Sequence, residues 1–207
     1  MKIFFIGPPC SGKSSIAEYI SKKYNIQYFR FKVLVNNYIT ENNKYSKFLI
    51  KNNYENKPYS PKMSFDVLKT YFHNENNYIL DNYPKNIDEL KYLKKEYIGK
   101  EKVFVILVET KKNILLKRLN IRLYCKDCNL TFNSNNINLD QCPICQTKLS
   151  RRIDDTEKIF MIRYKQYLRN KNNLIREFNE FANIIKIENN TNNYDILFQE
   201  IDSKIKF

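Results

Sequence analysis

Residues 7–14, Gly7-Pro8-Pro9-Cys10-Ser11-Gly12-Lys13-Ser14, fill every fixed position of the pattern G-x-x-x-x-G-K-S/T, and no other feature restricts the fold as much. Such a loop works only between a strand and a helix. There its backbone N–H groups turn inward on phosphate oxygens while the positive end of the helix faces the same anion. The flanks meet that requirement: Lys2–Ile6 is a short apolar run, and Lys13–Tyr24 carries Ile16, Ala17 and Ile20 at helical spacing. In this setting Lys13 is expected to reach the β- and γ-phosphates and the Ser14 hydroxyl to ligate Mg²⁺. Cys10 reads as a small side chain filling a tight turn.

The alternation continues downstream. Ile26–Phe31, Asn77–Asp81, Val103–Val108 and Ile184–Ile187 read as strands, the third of buried type. Ser64–Phe72, Ile87–Tyr97 and Lys111–Ile121 read as helices, and Thr156–Phe181 as a long helix with an Asn-rich interruption. Repeated βα units predict a parallel, helix-covered α/β sheet. Asn36–Pro61 is polar and rich in Asn and Lys, suiting a small helical insertion or a mobile loop, and Cys125–Cys145 has no helical period. Neither has a linker's composition, so both read as insertions in one core. A length of 207 residues and a hydrophobic fraction of 43% suit that single core, while only 3 Gly and 6 Pro argue against turn-rich β architectures.

Four of the five cysteines form two pairs, Cys125-x-x-Cys128 and Cys142-x-x-Cys145, thirteen residues apart. That spacing suits tetrahedral thiolate coordination of Zn²⁺, and a closed four-cysteine site leaves no open position, so the metal is expected to be structural. Asn129–Gln141 is expected to form a β-ribbon or loop between the pairs. No apolar run approaches the roughly 20 residues that span a bilayer, and the apolar start is too short for a secretory signal. The expectation is therefore a cytoplasmic protein without a membrane partner.

A formal charge of +14 invites an anionic partner. Lys, Asn, Ile and Tyr are abundant even in dull surface stretches such as Tyr38–Asn56, however, which is how an AT-biased genome fills solvated positions. The net charge decides nothing alone. More pointed are Arg118 and Arg122, spaced i,i+4 as on one helix face, with Arg152 just after the cysteine segment and Arg163 on the next helix. Spacing alone leaves two readings open, solvated surface charge or convergence on a triphosphate when a flap closes. Asp154 and Asp155 are expected at that next helix's N-terminus, where the dipole favours carboxylates. The single histidine, His73, supports no triad or multi-histidine metal site.

In the order and spacing of these residues the chain resembles the adenylate kinase family of nucleoside monophosphate kinases, in its form with a zinc-bearing lid. The resemblance rests on Gly7–Ser14, Asp81-Asn82-Tyr83-Pro84-Lys85, Arg118-x-x-x-Arg122, the four paired cysteines and Arg152-Ile153-Asp154-Asp155 followed by Arg163. It implies a five-stranded parallel core of P-loop NTPase type in residues 1–30, 62–118 and 154–207. An acceptor-binding helical insertion would occupy 31–61 and a zinc-ribbon lid 119–153. It implies ATP contacts at Gly7, Pro8, Pro9, Cys10, Ser11, Gly12, Lys13, Ser14 and Ser15 with Arg118 and Arg122. Asp81 would hold Mg²⁺ through water beside Ser14, with Lys13, Lys85, Arg118, Arg122, Arg152 and Arg163 as catalytic cations. ATP and a nucleoside monophosphate would be the partners of a monomer that binds no nucleic acid.

The departures gather at the acceptor subsite of Asn36, Lys85 and Glu89. Where the family has a Thr-Gly-Asp-x-x-Arg run, this chain reads Phe31-Lys32-Val33-Leu34-Val35-Asn36, and Asn36 cannot form a charged bidentate clamp. Lys85 keeps the charge of a second family arginine but not its planar fork. Glu89 stands where the family reads adenine with glutamine; a carboxylate only accepts, which suits a base offering N–H donors such as guanine. Loss of one charged bidentate contact costs about 2–4 kcal/mol, roughly 30- to 1000-fold in affinity. The leading expectation is ATP-dependent phosphoryl transfer to AMP or a related acceptor. The alternatives are a catalytically weak, regulatory ATP-binding relative and, further off, a zinc-ribbon nucleic-acid binder.

Overall fold

The computed structural model describes residues 1–55, 57–73, 77–99, 101–133, 140–191 and 193–205. In chain order the elements are β1 (Lys2–Ile6), α1 (Lys13–Tyr24), β2 (Gln27–Arg30), α2 (Phe31–Thr40), α3 (Ser46–Tyr54), α4 (Pro61–Tyr71), β3 (Tyr78–Asp81) and α5 (Ile87–Tyr97). There follow β4 (Val103–Glu109), α6 (Lys112–Ile121), β5 (Arg122–Tyr124), β6 (Thr131–Asn133), α7 (Glu157–Asn179), β7 (Asn183–Glu188) and α8 (Tyr194–Lys204). The predicted α/β architecture holds. Five strands form one sheet in the order β2-β3-β1-β4-β7, every pairing parallel. β5 and β6 form a separate antiparallel pair.

A parallel sheet buried on both faces needs strands that are apolar throughout, and β1 and β4 supply them. Phe4, Ile6, Val105 and Leu107 point to the face covered by α4, α5 and α7, where Leu68, Leu90, Leu93 and Phe178 meet them. Ile3, Phe5, Ile106 and Val108 point the other way, onto Ile16 and Ile20 of α1 and Leu197 and Ile201 of α8. Because all five strands run parallel, Ile6, Arg30, Asp81, Glu109 and Glu188 end at the same edge, the edge at which open α/β sheets bind ligands.

Several sequence expectations are corrected. Asn36–Pro61 is largely helical, in line with the first of its two readings, but the helix entering it begins at Phe31, so the second strand stops at Arg30 rather than Phe31. α7 runs through its Asn-rich stretch without a break. Arg122 is not on the helix of Arg118: α6 ends at Ile121, and Arg122 is extended, opening β5. α7 is capped by the Thr156 hydroxyl accepting from Ile159 N, so Asp154 and Asp155 lie ahead of the helix and serve ion pairs instead. The C-terminal helix α8 was missed entirely. Part of the expected Asn129–Gln141 ribbon, residues 134–139, lies outside the described residues.

Candidate active site

The turn from β1 into α1 sits where two glycines are sterically required. A Cβ on Gly7 would lie 2.7 Å from the Val108 carbonyl oxygen of the neighbouring strand. Gly12 has φ +88°, and a Cβ there would meet Asn189 Nδ2 at 2.5 Å. Cys10 adopts φ 64° without being glycine, consistent with a small residue in a tight turn. Lys13 Nζ curls over the loop, donating to the carbonyls of Gly7 at 2.8 Å and Pro8 at 2.7 Å. Burial, with Arg122 acting in the same sense, lowers the Lys13 pKa to about 8 against the opposing pull of Asp81 and Cys10.

Ser14 and Asp81 meet across the sheet edge. Ser14 Oγ donates to Asp81 Oδ2 at 2.5 Å, and the Tyr28 hydroxyl donates to the same oxygen at 3.0 Å. Burial and then the Asp81 charge push the Tyr28 phenol pKa up, so it stays a donor. Asp81 Oδ1 is buried and accepts no hydrogen bond. A spare carboxylate oxygen beside a loop hydroxyl fits Mg²⁺, which keeps most of its waters and takes few protein ligands.

A cleft of about 760 Å³, counting its open mouth, runs from Cys10–Ser15 past Arg118 and Arg122 to Phe132, Thr191 and Tyr194. Arg118 donates to Asn189 Oδ1 at 2.9 Å and to the Thr191 carbonyl at 2.5 Å. Asn189, only 2% exposed, donates in turn to the Ser11 carbonyl at 2.8 Å, tying the loop to the arginine. Sequence reasoning missed Asn189, Thr191 and Tyr194. Their one signal is position: Asn189 directly follows β7 at the ligand edge, but it is hidden in an Asn-rich run.

The remaining cations converge from the elements flanking the cysteine ribbon. Arg122 makes a two-pronged pair with buried Asp155, Nε to Oδ2 at 2.8 Å and the second nitrogen to Oδ1. Arg163 holds Asp154 at 2.5 Å. Burial alone would raise the Asp154 pKa, but Arg163 and Lys32 outweigh it and hold the carboxyl below its usual range. Arg152 lies 4.3 Å from the centre of the Tyr124 ring, its Nε buried and without a hydrogen-bond partner.

The acceptor-side residues lie beyond Asp81. Lys85 Nζ sits over the rings of Phe31 and Tyr59, at 5.6 Å from each; burial lowers its pKa, Glu89 opposes, and Arg163 adds to the lowering. Glu89 is 3% exposed and accepts from Lys85 N at 2.6 Å at the start of α5, whose cap is Asn86. Burial pushes its pKa up, while Lys85 and the nearby Ser64 hydroxyl pull it down. Asn36 is half-buried on α2.

The four paired cysteines form one cluster, their sulfurs all within 4.8 Å of one another. Cys125–Cys145 stand 3.4 Å apart and Cys128–Cys142 3.9 Å. Thiolates at about 2.3 Å from a tetrahedral zinc stand about 3.8 Å apart, so the cluster fits that ion. The two pairs turn alike: Cys125 N donates to Leu130 O and Cys142 N to Thr147 O, with Asn129 (φ 56°) and Gln146 (φ 59°) left-handed behind them. Leu123, Phe132 and Leu149 pack around the sulfurs.

No protein-family model matches the chain. Curated relatives nevertheless span almost its whole length. An adenylate kinase of Petrotoga mobilis is 24% identical over 95% of this chain and 94% of its own length. An adenylate kinase of Mycoplasmopsis pulmonis is 26% identical over 99% of this chain and 98% of its own. An adenylate kinase of Borrelia duttonii is 31% identical over all of this chain and 99% of its own. The chain belongs to the adenylate kinase family. Adenylate kinase-family membership supports a kinase-type phosphotransferase of the nucleoside monophosphate kinase group, and the four-cysteine cluster agrees with the zinc-lid form. Among the described residues no helix is long and apolar enough to cross a membrane.

Proposed function

We propose that this protein transfers the γ-phosphoryl of Mg·ATP reversibly to AMP or a closely related nucleoside monophosphate, in line and under a closing lid. The observation that carries the reading is convergence. Cys10–Ser15 of the loop line one cleft with Arg118 and Arg122, Ser14 ties that loop to Asp81, and Asp155 and Asp154 hold Arg122 and Arg163. Phosphoryl transfer asks little covalent work of a protein; it requires positioned phosphates, charge neutralisation and exclusion of water. In this reading the loop N–H groups and Lys13 hold the ATP phosphates. Ser14 and, through water, Asp81 would hold Mg²⁺, which would supply positive charge to the donor phosphates. Arg118 flanks the donor nucleotide, and Arg122, Arg152, Arg163 and Lys85 neutralise the transferring group. Residues 31–61 would be the acceptor-binding segment and 119–153 the lid, with the remainder as core. Zinc would stiffen the lid and take no part in transfer.

The buried carboxylate of Glu89 beside the acceptor segment supports testing guanine along with adenine, since a carboxylate accepts from N–H donors and repels a ring-nitrogen acceptor. The decisive assay is transfer from Mg·ATP to AMP, GMP, CMP, UMP and dAMP, with ATP binding followed in parallel. Turnover on AMP or GMP is expected. Tight ATP binding with no turnover on any acceptor would sink the kinase assignment and leave a nucleotide-gated binding protein.

A further inference from the structure

The acceptor segment lacks the arginine that grips the acceptor phosphate in the family, because Asn36 stands in its place. Two cations close to it in sequence invite comparison as substitutes. Arg30, at the end of β2, is fully engaged: it pairs with Glu18 at 3.2 Å, donates to the Asn129 carbonyl at 3.2 Å and stacks over Tyr28 at 4.9 Å. Lys32 is different. It lies four residues before Asn36 on α2, hence on the same helix face one turn nearer the N-terminus. Helical side chains lean toward the N-terminus, so a longer side chain at position 36 would lean over the turn on which Lys32 stands.

Lys32 is exposed and extends beside the cysteine ribbon. Its Nζ is 5.9 Å from the centre of the Tyr124 ring, the ring against which Arg152 lies at 4.3 Å. The charged groups facing it come from three elements or their flanks: Arg122, Arg152, Arg163 and Asp154. Asp154 is already paired with Arg163, and Arg122 is already neutralised by Asp155. Lys32, Arg122, Arg152 and Arg163 thus face two carboxylates, leaving an excess of two positive charges at one spot, with Arg152 Nε unpartnered. Partial desolvation lowers the Lys32 pKa and the nearby arginines lower it further. Nothing in the first turn of α2 offsets this, since it has no acidic residue and no capping side chain. A cation held against repulsion, at a positive helix end and beside an unsatisfied guanidinium, is an arrangement that an anion completes.

We propose that Lys32 is the acceptor-phosphate cation of this protein, taking over from α2's first turn the contact that Asn36 cannot make. This rests on the kinase reading above and adds to it a residue outside the family's set.

The test uses the full-length zinc-loaded protein and three variants: Lys32→Met, Lys32→Arg and the double variant Lys32→Met with Asn36→Arg. AMP, GMP and ATP binding are measured by titration calorimetry, and turnover alongside. Lys32→Met is expected to weaken the bound acceptor about 10- to 100-fold and to raise its KM by a similar factor. ATP affinity and the melting temperature should stay as in wild type. Lys32→Arg should retain acceptor binding, and Asn36→Arg should restore it to the methionine variant. Unchanged acceptor affinity in Lys32→Met, equal losses for ATP and acceptor, or failure of both rescues would each overturn the assignment. A wild type that binds AMP or GMP without turnover sinks the kinase reading alone, and Lys32 is then judged on the binding data. A wild type that binds neither overturns both.

Discussion

At the residue scale, Lys13 carries the clearest pH signature. With its pKa lowered to about 8 by burial, the ammonium is mostly neutral at pH 8.5 in the free protein. Bound phosphate favours the charged form and raises that pKa, so nucleotide binding must draw a proton from solvent. The sign follows: ATP affinity falls as pH rises through 8, and calorimetry in buffers of different ionisation enthalpy should report proton uptake that grows as pH rises from 6.5 to 8.5. In Lys13→Met the uptake should vanish and transfer should be abolished with the fold intact; full uptake in that variant would remove Lys13 from the cradle. Lys13 was legible from sequence because the motif encloses its own chemistry within eight residues. Asn189 was not, since it reaches Ser11 across 178 residues of chain and only the strand order β1-β4-β7 brings them together.

At the element scale, the described residues of the cysteine ribbon have little to hold them except the four-cysteine cluster. β5 and β6 are three residues each, and the buried set around the sulfurs is Leu149 with Leu123 and Phe132 beside it. Metal binding free energy is then the folding free energy of this element. Cys142→Ser is expected to reduce bound zinc from one ion per chain and to lower the melting temperature, whereas the sheet's far-ultraviolet signal should persist. Unchanged zinc content and melting would discard a structural metal. The paired spacing made the cluster readable, but not the left-handed Asn129 and Gln146 that close the two turns, because neither is glycine. Elsewhere propensity misled. Asn170, Asn172 and Asn173 suggested a break in α7, yet each Asn costs a helix only about half a kcal/mol, and burial of Leu174 and Phe178 outweighs that. Arg122 fell on the strand side of a boundary that i,i+4 spacing cannot locate.

At the scale of the whole molecule, polar and cation–ring contacts join the ribbon to the core and brace it within itself. Arg30 donates to the Asn129 carbonyl, and Lys32 and Arg152 lie against Tyr124, whose hydroxyl donates to Asn129 Oδ1. Lys13 and Arg122 meanwhile line the cleft, Arg152 and Arg163 lie electrostatically close to Lys32, and burial or neighbouring cations depress the pKa of Lys13, Lys32 and Lys85. On the proposed reading, closing this cleft without phosphate would bring like charges together, so the charge that makes the site would also oppose closure. Nucleotide phosphates would then reverse the balance and shift the population toward a closed form. Amide hydrogen exchange reads this directly. Backbone amides of Arg122–Tyr124 and of α2 should exchange at least about tenfold more slowly with both ATP and AMP bound, with ATP alone giving an intermediate effect. Raising salt from 0.05 to about 0.5 M without nucleotide should slow the same amides partially, since screening relieves repulsion between groups several ångströms apart. Exchange that ignores both nucleotide and salt would mean that the ribbon is fixed on the core and that charge repulsion does not govern its position.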